Sequence, residues 1–347
     1  MQHMINKPIR ILGGGISGLS AAITLADKEY AVELFEKSSY PGGRFIRNFQ
    51  CLRNFGHNEI DAIDEIGKIG IYLKPYKNLY KIIRYSKSYN FEVSNDKKPI
   101  YYLLLRGRSE YSIDSQLAKY ATNMGINIFY NKKIESNDIT IVASGPSKAD
   151  SLAYCEVYED CNISDTGHVF LNKKYSPDGY IYVLPGPIKG EAILVICTTD
   201  SSFNFKKLKI LLDQFKGEKD ILKNIFYKST QKSSQNCIGS CSLLSKPYVN
   251  NKYYVGEAAG LQDVTAGFGI RYAIYSGYFA AQSIIDKSNY NIQISKMFKS
   301  QLEFEHKRSI RFSKLTNDDI DKIFQKVNKE FGNKLNLEEY GSIRGMI

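Results

Sequence analysis

Residues 9–36 read Ile9-Arg10-Ile11-Leu12-Gly13-Gly14-Gly15-Ile16-Ser17-Gly18-Leu19-Ser20-Ala21-Ala22-Ile23-Thr24-Leu25-Ala26-Asp27-Lys28-Glu29-Tyr30-Ala31-Val32-Glu33-Leu34-Phe35-Glu36. The pattern predicts a short buried strand over 8–12, a glycine turn, an apolar helix over 19–27 and a second strand over 31–35 ending at Glu36. Each glycine of Gly13-x-Gly15-x-x-Gly18 answers a different steric need. Gly13 permits a tight turn, Gly15 lets the backbone approach a pyrophosphate, and Gly18 lets helix and strand pack closely. The helix that follows the turn offers free N–H groups and a positive dipole end to phosphate. Glu36 is placed to accept both hydroxyls of an adenosine ribose, and it disfavours a 2′-phosphate. Strand, turn, helix, strand and acid in register point to a dinucleotide site.

Residues 253–281 decide which dinucleotide. They read Tyr-Tyr-Val-Gly-Glu-Ala-Ala-Gly-Leu-Gln-Asp-Val-Thr-Ala-Gly-Phe-Gly-Ile-Arg-Tyr-Ala-Ile-Tyr-Ser-Gly-Tyr-Phe-Ala-Ala. A strand leads to an acid, a glycine-rich loop and a helix with small residues. Glu257, after Gly256, is placed to accept a hydrogen bond from a ribityl hydroxyl. Gly267-Phe268-Gly269 permits close approach of a flat ring, and the long helix expected over 269–285 aims its N-terminal dipole at that ring. The run resembles the C-terminal flavin motif of the FAD-dependent oxidoreductases that include para-hydroxybenzoate hydroxylase and the geranylgeranyl reductases, and is closest to the latter. The resemblance implies FAD as cofactor. Three positions depart from the pattern: Glu29 replaces a glycine before the second strand, Glu257 replaces Asp and Val264 replaces Pro.

The resemblance extends over most of residues 8–285. Pro41-Gly42-Gly43-Arg44, following Glu36 and Lys37, is similar to the segment that sets a glycine pair and an arginine near the pyrophosphate. Leu105-Arg106-Gly107-Arg108, followed by Ser112-Ile113-Asp114-x-x-Leu117, resembles the families' arginine and helix start. Val142-Ala143-Ser144-Gly145 resembles their return to the nucleotide domain. The implied cofactor contacts are therefore Gly13, Gly15, Ile16, Ser17, Gly18, Glu36, Lys37, Gly43, Arg44, Arg106, Gly145, Gly256, Glu257, Gly267, Phe268, Gly269 and Ile270. The fold class expected is α/β: a Rossmann-type FAD-binding domain with an inserted antiparallel β-sheet substrate domain and a C-terminal helical segment. The FAD-binding domain is expected at 1–75, 107–150 and 250–290, the substrate domain at 76–106 and 151–249, and the helical region at 291–347. Residues 38–60 read as loop.

Tyr180-Ile181-Tyr182-Val183-Leu184-Pro185 is similar to a segment of the geranylgeranyl reductases that lines the pocket over the flavin. Strand alternation puts Tyr180, Tyr182 and Leu184 on one face, as a substrate wall or as ordinary core. The resemblance implies a hydride from reduced flavin to a C=C bond of an isoprenoid or lipid. The proton would come from Tyr180, Tyr182 or Cys51, with no catalytic residue assigned. His57 reads as a satisfied polar residue rather than a base. An aromatic monooxygenase is the alternative, and a non-catalytic prenyl- or lipid-binding escort the second. No second glycine fingerprint follows, so the electron donor is expected to be external: NAD(P)H, a deazaflavin or ferredoxin.

The chain has 347 residues, 43% of them hydrophobic, which suits two domains and a packed core. Formal net charge is +11, with lysines spread rather than blocked. No nucleic-acid motif interleaves them, so nucleic acid is not an expected partner; a basic surface also suits anionic membrane or an acidic carrier. Six cysteines without a Cys-x-x-Cys pair and four histidines argue against a metal site. Cys237 and Cys241 are spaced so that one helical turn would bring them together, but they read first as two small buried side chains. No signal peptide is visible, and no run approaches the ~20 apolar residues of a membrane span. The expected location is cytoplasmic, with peripheral membrane contact through the basic C-terminus.

Overall fold

The computed structural model describes residues 7–55, 60–134, 138–243 and 246–346; His57 lies outside them. The N-terminal pattern folds as its periodicity dictates. Ile9–Leu12 (β1) and Val32–Phe35 (β2) pair in parallel across the helix Ile16–Ala26 (α1). They belong to a six-stranded sheet with Asn127–Phe129 (β8), Ile141–Val142 (β9), Tyr248–Val249 (β15) and Lys252–Tyr254 (β16), in the order β15-β16-β9-β1-β2-β8. All neighbours are parallel except the hairpin β15–β16. Helices Ile113–Asn123 (α3) and Ile270–Asp286 (α6) pack with α1 in one core with this sheet. Glu29, where the related families carry glycine, adopts φ 60°, so the turn keeps the glycine conformation with a side chain on it.

An eight-stranded sheet stands opposite. Its order is β14-β10-β13-β12-β11-β5-β6-β17, formed by Lys81–Tyr85 (β5), Asn90–Ser94 (β6), Ser151–Glu159 (β10), Gly167–Phe170 (β11), Gly179–Pro185 (β12), Ala192–Thr198 (β13), Thr230–Gly239 (β14) and Lys334–Leu335 (β17). Alternation is realised on β12. Ile181 and Val183 face Phe205–Glu218 (α4) and Asp220–Ile225 (α5), while Tyr180, Tyr182 and Leu184 face the other way, into the space between the sheets. A three-stranded sheet of Arg47–Arg53 (β3), Lys77–Leu79 (β4) and Tyr101–Gly107 (β7) bridges the two. The short helix Ala62–Gly67 (α2) follows β3.

Two expectations are corrected. Residues 38–60 are not all loop, because β3 pairs with β7 from Arg47↔Gly107 to Arg53↔Tyr101; its charged ends hide an apolar middle. Cys237 and Cys241 share no helical turn, because Cys237 lies within β14 and Cys241 beyond it; Cys237 instead meets Cys155 of β10, with Sγ atoms 4.0 Å apart. The C-terminus is helical as expected: Tyr290–Ser313 (α7), Asn317–Phe331 (α8) and Leu337–Ile343 (α9). Between the last two, β17 adds in parallel to β6, so this segment is woven into the eight-stranded sheet. No helix among the described residues is long and apolar enough to cross a membrane.

Candidate functional site

One cavity of about 900 Å³ runs between the two large sheets, at the upper end of small-molecule sites. Its first wall is the glycine turn. Gly13 has φ +108°, and a Cβ there would stand 2.2 Å from the carbonyl oxygen of Ala143 on the chain leaving β9. A Cβ at Gly18 would stand 2.0 Å from the carbonyl oxygen of Gly13, so α1 sits directly on the turn. A Cβ at Gly15 would meet nothing within 4 Å, so this backbone opens onto the cavity. No side chain caps α1, which leaves its first N–H groups for a ligand. Glu36 is buried beside them; Oε2 accepts from the Gly14 amide at 2.7 Å and Oε1 from that of Ser38 at 2.8 Å. Each carboxylate oxygen keeps a further lone pair for a hydroxyl donor.

The second wall is the turn Gly256–Ala259 and the loop before α6. The Ser276 hydroxyl accepts from the Gly256 amide at 2.8 Å, and Ser20 of α1 donates to the Ile274 carbonyl at 2.8 Å. The first bond ties the turn to α6, and the second ties α6 to α1 and so to the first glycine motif. Gly267, Phe268 and Gly269 line the cavity, and the N-terminus of α6 carries no side-chain cap. Tyr101 stacks on Phe268 with ring centroids 5.7 Å apart.

All the expected cofactor contacts line the cavity except Gly18 and Gly256, which shape the turns behind it. Arg44 and Glu257 are brought together as a two-pronged ion pair, at 3.0 and 3.1 Å. The methylene that distinguishes Glu257 from Asp extends its reach toward Arg44. Arg106 is held by both oxygens of Asp114, at 2.7 and 2.9 Å, so the arginine and the helix start noted in the sequence form one buried unit. Phe45 lies 4.6 Å beneath each of the Arg44 and Arg106 guanidinium groups.

The opposite wall is sheet. Tyr180 donates its hydroxyl to the Ala266 carbonyl and so stands against the Gly267 loop. Tyr182, Leu184, Val195 and Cys51 extend the wall. Burial pushes the Cys51 thiol up to about 12 and lifts the phenols of Tyr180 and Tyr182 well above their ordinary value.

Several lining residues escaped sequence reading. Asp263 follows the Gly-Glu-Ala-Ala-Gly run; its Oδ1 accepts from the amides of Thr265 and Ala266 at 2.8 and 2.9 Å, and Oδ2 has no hydrogen-bond partner. Burial, and then the charge of Glu305, raise its carboxyl above the ordinary value. Arg53, Arg84, Arg308 and Arg344 also line this end. Only the alternation of Ile82 and Arg84 along β5 carried a readable signal; Arg308 and Arg344 arrive through tertiary packing.

Residues 11–56 match the family model of the NAD(P)-binding Rossmann-like domain. No curated protein sequence matches the chain. Among solved structures, a geranylgeranyl bacteriochlorophyll reductase-like protein from Thermoplasma acidophilum superposes with a TM-score of 0.78 at 20% identity, covering 98% of this chain and 95% of that one. The fold is that of the FAD-dependent oxidoreductases. The myxobacterial chondrochloren halogenase, described as FAD-dependent, superposes at 0.58 with 13% identity over 86% and 79% of the two chains. PqsL of P. aeruginosa superposes at 0.56 with 12% identity over 88% and 96%.

Proposed function

We propose that the protein is an FAD-dependent oxidoreductase that reduces a C=C bond of an isoprenoid or lipid substrate. One observation carries the cofactor assignment: the open backbone at Gly15, the buried Glu36 carboxylate and the uncapped starts of α1 and α6 all face one cavity. A dinucleotide needs anion-binding amides at its centre, a carboxylate at its ribose and a ring-sized gap at its far end; these residues fit all three.

In this reading residues 1–75, 107–150 and 250–290 form the FAD-binding part, 76–106 and 151–249 the substrate part, and 291–347 a helical region that completes the cavity. Gly13, Gly15, Ile16 and Ser17 hold the pyrophosphate, Glu36 the ribose, and Gly267 to Ile270 the ring. Arg44 and Glu257 hold each other across the entry to the ribityl segment. When bound, FAD supplies hydride chemistry. The chain's share is to exclude water with Tyr180, Tyr182, Leu184 and Val195, and to hold a proton on Cys51, Tyr180 and Tyr182, groups already neutral at pH 7 whose ionisation burial makes harder still. The electron donor is external: NAD(P)H, a deazaflavin or an acidic ferredoxin suited to a net charge of +11.

The deciding measurement is the visible spectrum of the purified protein, with the flavin released on denaturation identified as FAD. Slow reoxidation in air after dithionite reduction, with loss of a prenyl double bond by mass spectrometry, supports the reductase. Rapid oxygen consumption coupled to hydroxylation of an aromatic substrate moves the assignment to a monooxygenase. A colourless protein that cannot be reconstituted with FAD but binds prenyl lipid moves it to an escort role.

A further inference from the structure

Cys155 on β10 and Cys237 on β14 both line the cavity. In the ladder Cys155 pairs with Gln235 and Ala153 with Cys237, so the two cysteines are diagonal neighbours on one face. Their Sγ atoms stand 4.0 Å apart and share a hydrogen bond. Each sulfur also receives a side-chain amide: Gln235 Nε2 donates to Cys237 Sγ at 3.4 Å, and Asn48 Nδ2 to Cys155 Sγ at 3.6 Å. Gln235 is itself held by backbone. Its Oε1 accepts from the Ile46 amide and its Nε2 donates to the Arg44 carbonyl, each at 3.0 Å. Those two partners fix which end of the amide faces the sulfur.

The two thiols are not equivalent. Cys155 is buried, whereas Cys237 is partly exposed on the cavity wall. The hydrogen bond between them draws Cys237 below its ordinary thiol value despite partial burial, and the charge of Arg44 adds to the effect. The same bond, and then burial, lifts Cys155 well above that value. Cys51 and Cys197, which also line the cavity, are each pushed up to about 12 by burial. The thiolate is the attacking species, so one cavity thiol is set apart as a nucleophile and its neighbour is placed to react second.

We infer that Cys237 is an oxidant-reactive thiol and Cys155 its resolving partner, so that hydrogen peroxide turns the pair into a reversible disulfide on the cavity wall. The Cys237 sulfur attacks one peroxide oxygen and the O–O bond breaks. The other oxygen leaves as hydroxide, takes up the proton released by the thiol, and Cys237 becomes a sulfenic acid. The Cys155 sulfur then attacks the Cys237 sulfur. The S–O bond breaks, and the leaving hydroxide takes the Cys155 proton to give water. The thiol pair loses two electrons and one peroxide is reduced to two waters. A bond between diagonal neighbours lies at the long end of disulfide geometry, which makes it easy to reduce again. The inference goes beyond the proposed function and does not depend on it.

The test treats the full chain, reduced and then freed of reductant, with hydrogen peroxide and reads intact mass and peptide maps, with flavin content measured on the same samples. The expected product is about 2 Da lighter, carries a Cys155–Cys237 link and is restored by dithiothreitol. Before oxidation, iodoacetamide at pH 7 is expected to alkylate Cys237 at least ~10-fold faster than Cys51, Cys155 or Cys197. In Cys155→Ser the reaction stops at a Cys237 sulfenic acid, which dimedone traps; in Cys237→Ser no link forms. Should either variant fail to fold, the alkylation rates and the linked peptide of the wild-type chain decide. A link between other cysteines, an unchanged mass, or Cys237 alkylated no faster than the rest overturns the inference. A colourless protein that forms the link sustains it and counts only against the FAD assignment.

Discussion

Gly15 and Gly18 lie three residues apart in one turn and answer to different forces. A methyl group at Gly15 enters the cavity without touching the protein, whereas one at Gly18 strikes the Gly13 carbonyl at 2.0 Å. Gly15→Ala is therefore expected to leave the melting temperature unchanged and weaken FAD binding about tenfold or more, by titration of flavin fluorescence. Gly18→Ala is expected to destabilise the fold by about 1–3 kcal/mol, read from urea denaturation. Equal effects of the two on stability would contradict this division. These roles were legible because the fingerprint spacing encodes them locally. The Arg44–Glu257 pair and the Arg84–Tyr340 contact were not, because their partners are more than 200 residues away in the chain. His168 makes stability depend on pH. It is 5% exposed, its Nδ1 is 3.1 Å from the Tyr85 hydroxyl, and burial depresses its pKa to about 4. Above pH 6.5 it is neutral both folded and unfolded, so it has no effect on the pH dependence. Between pH 6.5 and 4 the unfolded chain takes up the proton first, so stability falls as pH drops through that window, by roughly 3 kcal/mol at most. His168→Phe is expected to flatten the slope of denaturation midpoint against pH between 4 and 6.5; an unchanged slope would assign it to other groups.

Elements were legible where their apolar residues repeat and illegible where only pairing makes them strands. Helix α3 begins at a Ser112 cap, one of the two capping residues (Ser112 and Asp114) that its sequence offers, and β10 to β13 fall on the Val-, Ile- and Tyr-rich runs. By contrast β14, Thr-Gln-Lys-Ser-Ser-Gln-Asn-Cys-Ile-Gly, is a polar edge strand held by its ladder to β10, and sequence reading assigned it no structure. The two-residue β17 carries no periodicity at all, yet it joins the C-terminal helices to β6. That docking rests on packing: Phe324 of α8 is fully buried, with its ring 4.8 Å from that of Phe91 on β6. Phe324→Ala is expected to cost about 3–5 kcal/mol in chemical denaturation. Because Phe324 does not line the cavity, the flavin spectrum should persist at low denaturant. A loss below about 1 kcal/mol would mean that the C-terminal segment is only loosely attached.

At the scale of the molecule, the cavity is a seam. The six-stranded sheet contributes the glycine turn and Glu36, the bridging sheet Arg53 and Arg106, the eight-stranded sheet Tyr182 and Arg84, and α7 Arg308. The sequence made the first of these plain through a local motif and left the arginine end hidden, since that end exists only once three sheets and the last helices assemble. A cofactor laid along such a seam touches segments spread from residue 13 to residue 270, so its binding free energy acts on the whole fold. With FAD at about one hundred times its dissociation constant, stability should rise by about 2.7 kcal/mol. In a protein of this size that raises the melting temperature by about 4 °C, and the shift should grow with the logarithm of FAD concentration. NADP, opposed at its 2′-phosphate by Glu36, should produce no comparable shift, and FAD added to Gly15→Ala at the same concentration should produce about half of it or less. A melting temperature indifferent to FAD in the wild-type protein would show that the seam is built for a different ligand.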